Sequence, residues 1–411
     1  MGIEFAKLDR YCMLFLVVSL FFSGANVYAL AYPILKLFVF SSFLFLFAQL
    51  RLDFSCYKKE VVIQFSIALI FIWFICTLLS SAIYVNDDLL GLVFRYAAYL
   101  LVLFFLLSLK SKYSYLFFSY YSYVLFIIVI FSFISYVLSL FQLLPMVELV
   151  SAGGRVYLTT FFNIAMLDSK VTIGGVTFYR FQSIFEEPGT FSFLLLPAIY
   201  WYKFIEKKLL RVAFLSVCLI ATLSVGSIIP ILFAYSFYLL INKPAKAIPM
   251  LSLLFFLVIV AVLSSAELAE FLAYKFGLGI YEGQHTSMGV RMLEVKHVID
   301  TLSSKIIGTG FSASNILDSY GVNIAVGLFR SVIYAGAVGG CAIILLNVVL
   351  GCYAINCLHK NNCSHLFLGY TLLAFLFMGL QRSTFIDGFL FVAIFSFLLK
   401  FTFIELKNDS D

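Results

Sequence analysis

Charge is scarce in this sequence. Asp, Glu, Lys and Arg supply 12% of the 411 residues, against 63% hydrophobic residues and a mean hydropathy of +1.07. That shortage excludes a soluble domain, whose surface would be one continuous apolar patch. Cysteine is missing where an external module would need it. Cys12, Cys56, Cys76, Cys218, Cys341, Cys352, Cys357 and Cys363 all lie outside the two long polar segments, 143–188 and 266–332. A disulfide-stapled external domain is therefore excluded. Histidine is scarce too. His359 and His365 pair with Cys357 and Cys363 as C-x-H, tighter than structural zinc spacing, so Cys357–His365 reads as a short polar turn and no metal is expected. No small-residue cleavage site follows the first apolar run, which reads as a retained helix.

What the chain has is apolar runs. A transmembrane helix needs about 20 such residues, and windows of that size give about twelve candidates. They centre near 11–30, 33–50, 61–82, 89–109, 116–140, 189–205, 212–225, 227–241, 248–265, 333–355, 366–382 and 385–403. Alternate connections are basic: Lys7 and Arg10; Arg51, Lys58 and Lys59; Lys110 and Lys112; Lys203, Lys207, Lys208 and Arg211; Lys243 and Lys246; Lys360; Lys400 and Lys407. All fall on one side if the N-terminus is cytoplasmic. The net charge of +6 is thus a topology signal that needs no nucleic-acid partner. The reading is an all-α polytopic membrane protein, residues 1–411 forming one integral membrane domain with both termini inside.

The far side carries the two long connections, 143–188 and 266–332. Long loops with no core of their own are uncommon unless functional. Arg155, Lys170, Arg180, Lys275, Arg291, Lys296, Lys305 and Arg330 lie there, against the positive-inside trend. The bland alternative is that the loops are merely solvated.

The first constellation is Arg180-Phe181-Gln182-Ser183-Ile184-Phe185-Glu186-Glu187-Pro188. Pro188 suits the first turn of a helix, and acidic residues there are favoured by its dipole. Glu186 and Glu187 are therefore either helix-start residues or groups facing a polar cavity, while Arg180 suits an anion through its planar fork. In the second, Arg291, Glu294 and Val295 are expected on one helix face, with Lys296 and His297 near the opposite side. Gly308-Thr309-Gly310 ends that helix. Arg330 then leads into Gly336-Ala337-Val338-Gly339-Gly340, whose small residues allow close helix packing. Two more arginines sit near the same membrane face: Arg95 inside a span, after Asp87 and Asp88, and Arg382, followed by Asp387. An intramembrane arginine is a functional candidate, with an Asp87 or Asp88 pair as the alternative for Arg95. Together Arg95, Arg180, Arg291, Arg330 and Arg382 suggest a cationic pocket matched to a lipid-linked diphosphate.

These pieces resemble the Wzy-type O-antigen and capsule polymerases of the O-antigen ligase/polymerase superfamily. The resemblance rests on Arg180–Pro188, on Arg291 followed by Ile307-Gly308-Thr309-Gly310-Phe311, and on Gly336–Gly340. Leu223-Ser224-Val225-Gly226-Ser227 is similar to the family's Ser-Arg-Thr-Gly turn without its arginine. It implies a GT-C-like, metal-independent glycosyltransferase of the bacterial inner membrane, with two long periplasmic loops. Its substrates would be undecaprenyl-diphosphate-linked repeat units, with a chain-length regulator and a flippase as further partners. Glu186, Glu187 and Arg291 would be catalytic; Arg180, Arg95, Arg330 and Arg382 would bind the diphosphate and glycan. The acceptor base stays open among Glu186, Glu187, His285 and His297. Ligases usually carry a histidine shortly before their Gly-x-x-Gly segment; Val322–Val326 has none, which favours polymerase. A flippase or other transporter is the remaining alternative, against which stand the one-sided loops and the absence of an internal repeat.

Overall fold

The structure, a computed structural model, describes residues 7–23, 41, 61–83, 89–110, 112–150, 156–160, 164–173, 176–264, 266, 269, 287–310, 326–381 and 388–408. Apolar runs become helices here for a simple reason: in lipid every backbone N–H and C=O must be paired within the segment. The helices are α1 (Lys7–Ser23), α2 (Val61–Ile83), α3 (Leu89–Ser108), α4 (Lys112–Leu140), α5 (Pro188–Tyr200), α6 (Leu209–Ala221), α7 (Val225–Asn242), α8 (Pro244–Ser264), α9 (Ser287–Ser304), α10 (Gly327–Lys360), α11 (Cys363–Gln381) and α12 (Phe389–Asn408). Among the described residues four segments are long and apolar enough to cross a bilayer: Val61–Ile83, Lys112–Leu140, Gly327–Lys360 and Cys363–Leu380. Shorter apolar helices accompany them, and the span expected at 33–50 lies, apart from residue 41, outside the described residues.

The first long connection differs from an all-helical reading. It folds as two antiparallel hairpins, β1 (Met146–Val150) with β2 (Val156–Thr160), and β3 (Lys170–Ile173) with β4 (Val176–Tyr179). The cause is local: β-branched and aromatic residues cluster there, and Gly174-Gly175 between two such runs is a hairpin signal.

Side-chain links gather the basic helix ends at one end of the bundle. Tyr113 Oη donates to Asp9 at 3.0 Å, tying the starts of α1 and α4. The buried Lys400 donates to Leu107 O at 2.7 Å, joining α12 to the end of α3. The rings of Tyr115 and Trp201 stand 4.8 Å apart, and Asn242 Nδ2 donates to Leu358 O at 3.0 Å. The connections bearing Lys110, Lys203–Lys208, Lys243 and Lys360 thus share an end. The Cys357–His365 segment is the end of α10 and the start of α11 with a turn at Asn361-Asn362 between them: Asn361 is left-handed, and Asn362 Oδ1 caps α11 by accepting His365 N–H at 2.8 Å.

At the other end α10 is broken. Gly336 has φ 67° and ψ −164°, a conformation essentially confined to glycine. The break releases backbone groups that the segment after α9 takes up. Thr309 N–H donates to Ile333 O at 2.9 Å, Gly310 N–H to Tyr334 O at 3.1 Å, and Ala337 N–H to Ile306 O at 2.8 Å. Gly308 lies so close that a Cβ there would sit 2.7 Å from Ile333 O. From α2, Ser80 Oγ donates to Ile307 O and Trp73 Nε1 to Ser331 O at 2.9 Å. Past the break the expected close packing is present: a Cβ on Gly339 would lie 2.8 Å from that of Cys76 on α2.

Candidate functional site at the polar end of the bundle

Arg180 follows β4, and its guanidinium lies on the end of α6. Nε donates to Thr222 O at 2.9 Å, Nη2 to Leu223 O at 3.3 Å and Nη1 to Ser169 Oγ at 3.5 Å. The neighbouring Phe181 N–H donates to Ala221 O at 3.0 Å. The last carbonyls of a helix lack partners within it, and a cation there is favoured by the dipole. Arg180 is therefore a C-terminal cap of α6. The Leu223–Ser227 turn, which has no arginine of its own, receives this one.

Gln182–Phe185 forms a tight turn closed by Phe185 N–H to Gln182 O at 3.1 Å. Ser183 is left-handed at φ 53°, and its Oγ lies 2.8 Å from Ser132 Oγ on α4. Phe181 and Phe185 are buried, each with its ring 5.3 Å from that of Phe191. Between them the Gln182 side chain is 0% exposed. Neither its Oε1 nor its Nε2 has a partner among the described residues. Glu186 is half-buried and accepts the hydroxyl of Tyr157, on β2, at 2.8 Å. Glu187 is the N-cap residue of α5, with extended φ −132° and ψ 134°, and Pro188 opens the helix. Its placement matches the helix-start reading.

The second constellation lies on α9 and the start of α10. Glu294 is buried and accepts Val326 N–H at 3.3 Å, at the N-cap of α10. His297 is buried on the same face, whereas Val295 and Lys296 are exposed. This corrects the expected grouping: residues three apart share a helix face, so Glu294 pairs with His297 and not with Val295. Burial pulls the His297 pKa below the usual imidazole value, partly opposed by Asp300.

The remaining arginines distribute as follows. Arg330 is half-buried in the first turn of α10, and Arg95 is exposed on α3. Since the far ends of both helices lie with the basic cluster, these two share the Arg180 end of the bundle. Arg291 falls within α9, but its side chain lies outside the described residues, as do Arg382, His285, Asp87 and Asp88. Tyr157 and Ser132 were not singled out by sequence, and Gln182 only as a member of the Arg180–Pro188 cluster. Its signal was an amide close to Phe181, Ile184 and Phe185, which fold into the core. Among the described residues no group of three or more His, Cys, Asp or Glu is placed to hold a metal. Comparison with protein-family models, curated proteins and solved structures found no match.

Proposed function

We propose that this chain is an integral membrane glycosyltransferase that polymerises undecaprenyl-diphosphate-linked repeat units into O-antigen or capsular polysaccharide at the periplasmic face of the bacterial inner membrane. One observation carries the reading. A chain with only 12% charged residues gathers Arg180, Glu186, Glu187 and Arg330 at the bundle end opposite its basic helix ends. Cations on the side that the positive-inside trend leaves poor in them call for a reason other than topology. In the full reading the chain is GT-C-like, with twelve spans and both termini cytoplasmic, and the resemblance to Wzy-type polymerases supplies the substrate class.

The chemistry assigned is a substitution at the anomeric carbon. The acceptor hydroxyl oxygen bonds to that carbon while the bond to the lipid diphosphate breaks. The hydroxyl proton passes to a carboxylate, Glu187 or Glu186. Arg291, with Arg95, Arg330 and Arg382, stabilises the charge developing on the leaving diphosphate. Arg180, already bonded to the α6 end, contributes its positive field from a fixed position. The broken α10 favours a second reading, a transporter, because discontinuous helices line transport paths.

The test is the glycan profile of cells carrying Glu187→Gln or Arg291→Lys at normal protein level. Single lipid-linked units should accumulate, with extension slowed about 10²-fold or more. Long chains at wild-type level would remove these residues from the site. Long chains held on the carrier lipid would indicate a ligase, and units trapped on the cytoplasmic face a transporter.

A further inference from the structure

The Arg180–Glu186 segment leaves one polar side chain without work. Arg180 bonds the end of α6, Ser183 meets Ser132 and Glu186 accepts Tyr157. Gln182 is the exception: fully buried, with both amide atoms unmatched among the described residues. A buried amide with nothing to bond opposes folding, and such groups in native proteins call for an explanation in a missing partner. The partner has to both donate and accept. A phosphate only accepts, and would leave Oε1 orphaned; a pair of neighbouring hydroxyls satisfies both atoms.

We infer that Gln182 is a sugar-binding contact, Nε2 donating to one ring hydroxyl of the transferred unit while Oε1 accepts from the adjacent one. This rests on the glycan-transfer reading above and places the sugar ring between the Arg180 cap and the Glu186 carboxylate. The hairpin over the turn supplies the route in. Leu149, Tyr157 and Met166 form a small cluster separate from the bundle core. This hairpin region meets the turn through Tyr157 on Glu186 and through Met166 N–H on Ser183 O at 2.8 Å. Opening this route also requires parting Leu158 and Leu167 from the bundle core, on which they pack.

The experiment compares wild type with Gln182→Met, which keeps the volume and deletes both polar atoms. The probe is the single lipid-linked repeat unit extracted from cells lacking this chain, with inorganic diphosphate as the control. Without probe, the variant should melt at or above the wild-type temperature. With probe, its half-saturating concentration for chain extension should rise about tenfold, with turnover changed less. Unaltered extension kinetics overturn the assignment, whatever the stability. Failure of Gln182→Met to accumulate, while Gln182→Asn accumulates and extends normally, also overturns it and marks the amide as the partner of a structural water. Protection of wild type by inorganic diphosphate that is lost in the variant replaces the sugar with a phosphate. Long glycan persisting in cells that lack the chain defeats the transfer reading itself, a result distinct from all of these.

Discussion

Replacing the guanidinium of Arg180 withdraws donors from two helix-end carbonyls at once. Arg180→Lys keeps the charge but cannot reach both Thr222 O and Leu223 O with a planar fork. It should cost about 1–3 kcal/mol, read as a lower melting temperature in detergent; an unchanged midpoint would refute the capping role. His297 gives a prediction in pH. Its folded pKa lies below the usual 6.5, so between the two values the unfolded chain binds more protons than the folded one. Stability is then fully present above the unfolded value and lost as pH falls through that window. Thermal melts should weaken from about pH 7 to about pH 5, and His297→Gln should flatten that slope. At this scale the sequence was only half legible. The spacing of Glu187 and Pro188 announced a helix start, because capping is a local matter. That Arg180 would turn onto α6, some forty residues away, depends on how the hairpins fold back, and no local window contains it.

Two elements decide the architecture at the polar end: the interrupted helix α10 and the Gly308–Gly310 segment that fills its gap. Gly336→Ala should be severe, since its backbone conformation alone costs a non-glycine residue about 1–3 kcal/mol and the new Cβ would strike the Ile307 carbonyl. The expected outcome is loss of monodisperse protein on size exclusion; normal yield would contradict the break. Trp73→Phe removes the buried indole N–H that Ser331 O accepts and leaves a void where the larger ring packed. It should lower stability by about 1–3 kcal/mol in the same melts. The described apolar helices were readable from runs of apolar residues, with shifts at their ends. The hairpins were not, because a search tuned to membrane-length windows passes over strands of four or five residues, even with the Gly174-Gly175 signal between two of them.

For the whole molecule, the hydrogen bonds from Lys400 to Leu107 and from Tyr113 to Asp9 tie basic helix ends together, as the alternation of lysines and arginines anticipated. A compartment-sensitive reporter inserted after Lys110 or Lys207 should be active only in the cytoplasm, and one inserted after Gly153 or Gly174 only outside it. The reverse pattern would invert the topology and move the candidate site to the cytoplasmic face. By itself the sequence determined that this chain is a helical membrane protein and which of its connections are basic. Both follow from local causes, the demand of lipid for internally paired backbone and the cost of moving cations across it. Only the tertiary structure decided that Arg180 caps a helix, that Glu294 and His297 share a buried face, that α10 is broken and repaired by a distant Gly-Thr-Gly, and that the Gln182 amide is left unmatched among the described residues. Each of these is a pairing between groups far apart in the chain, settled by which backbone and side-chain atoms meet once the bundle has packed.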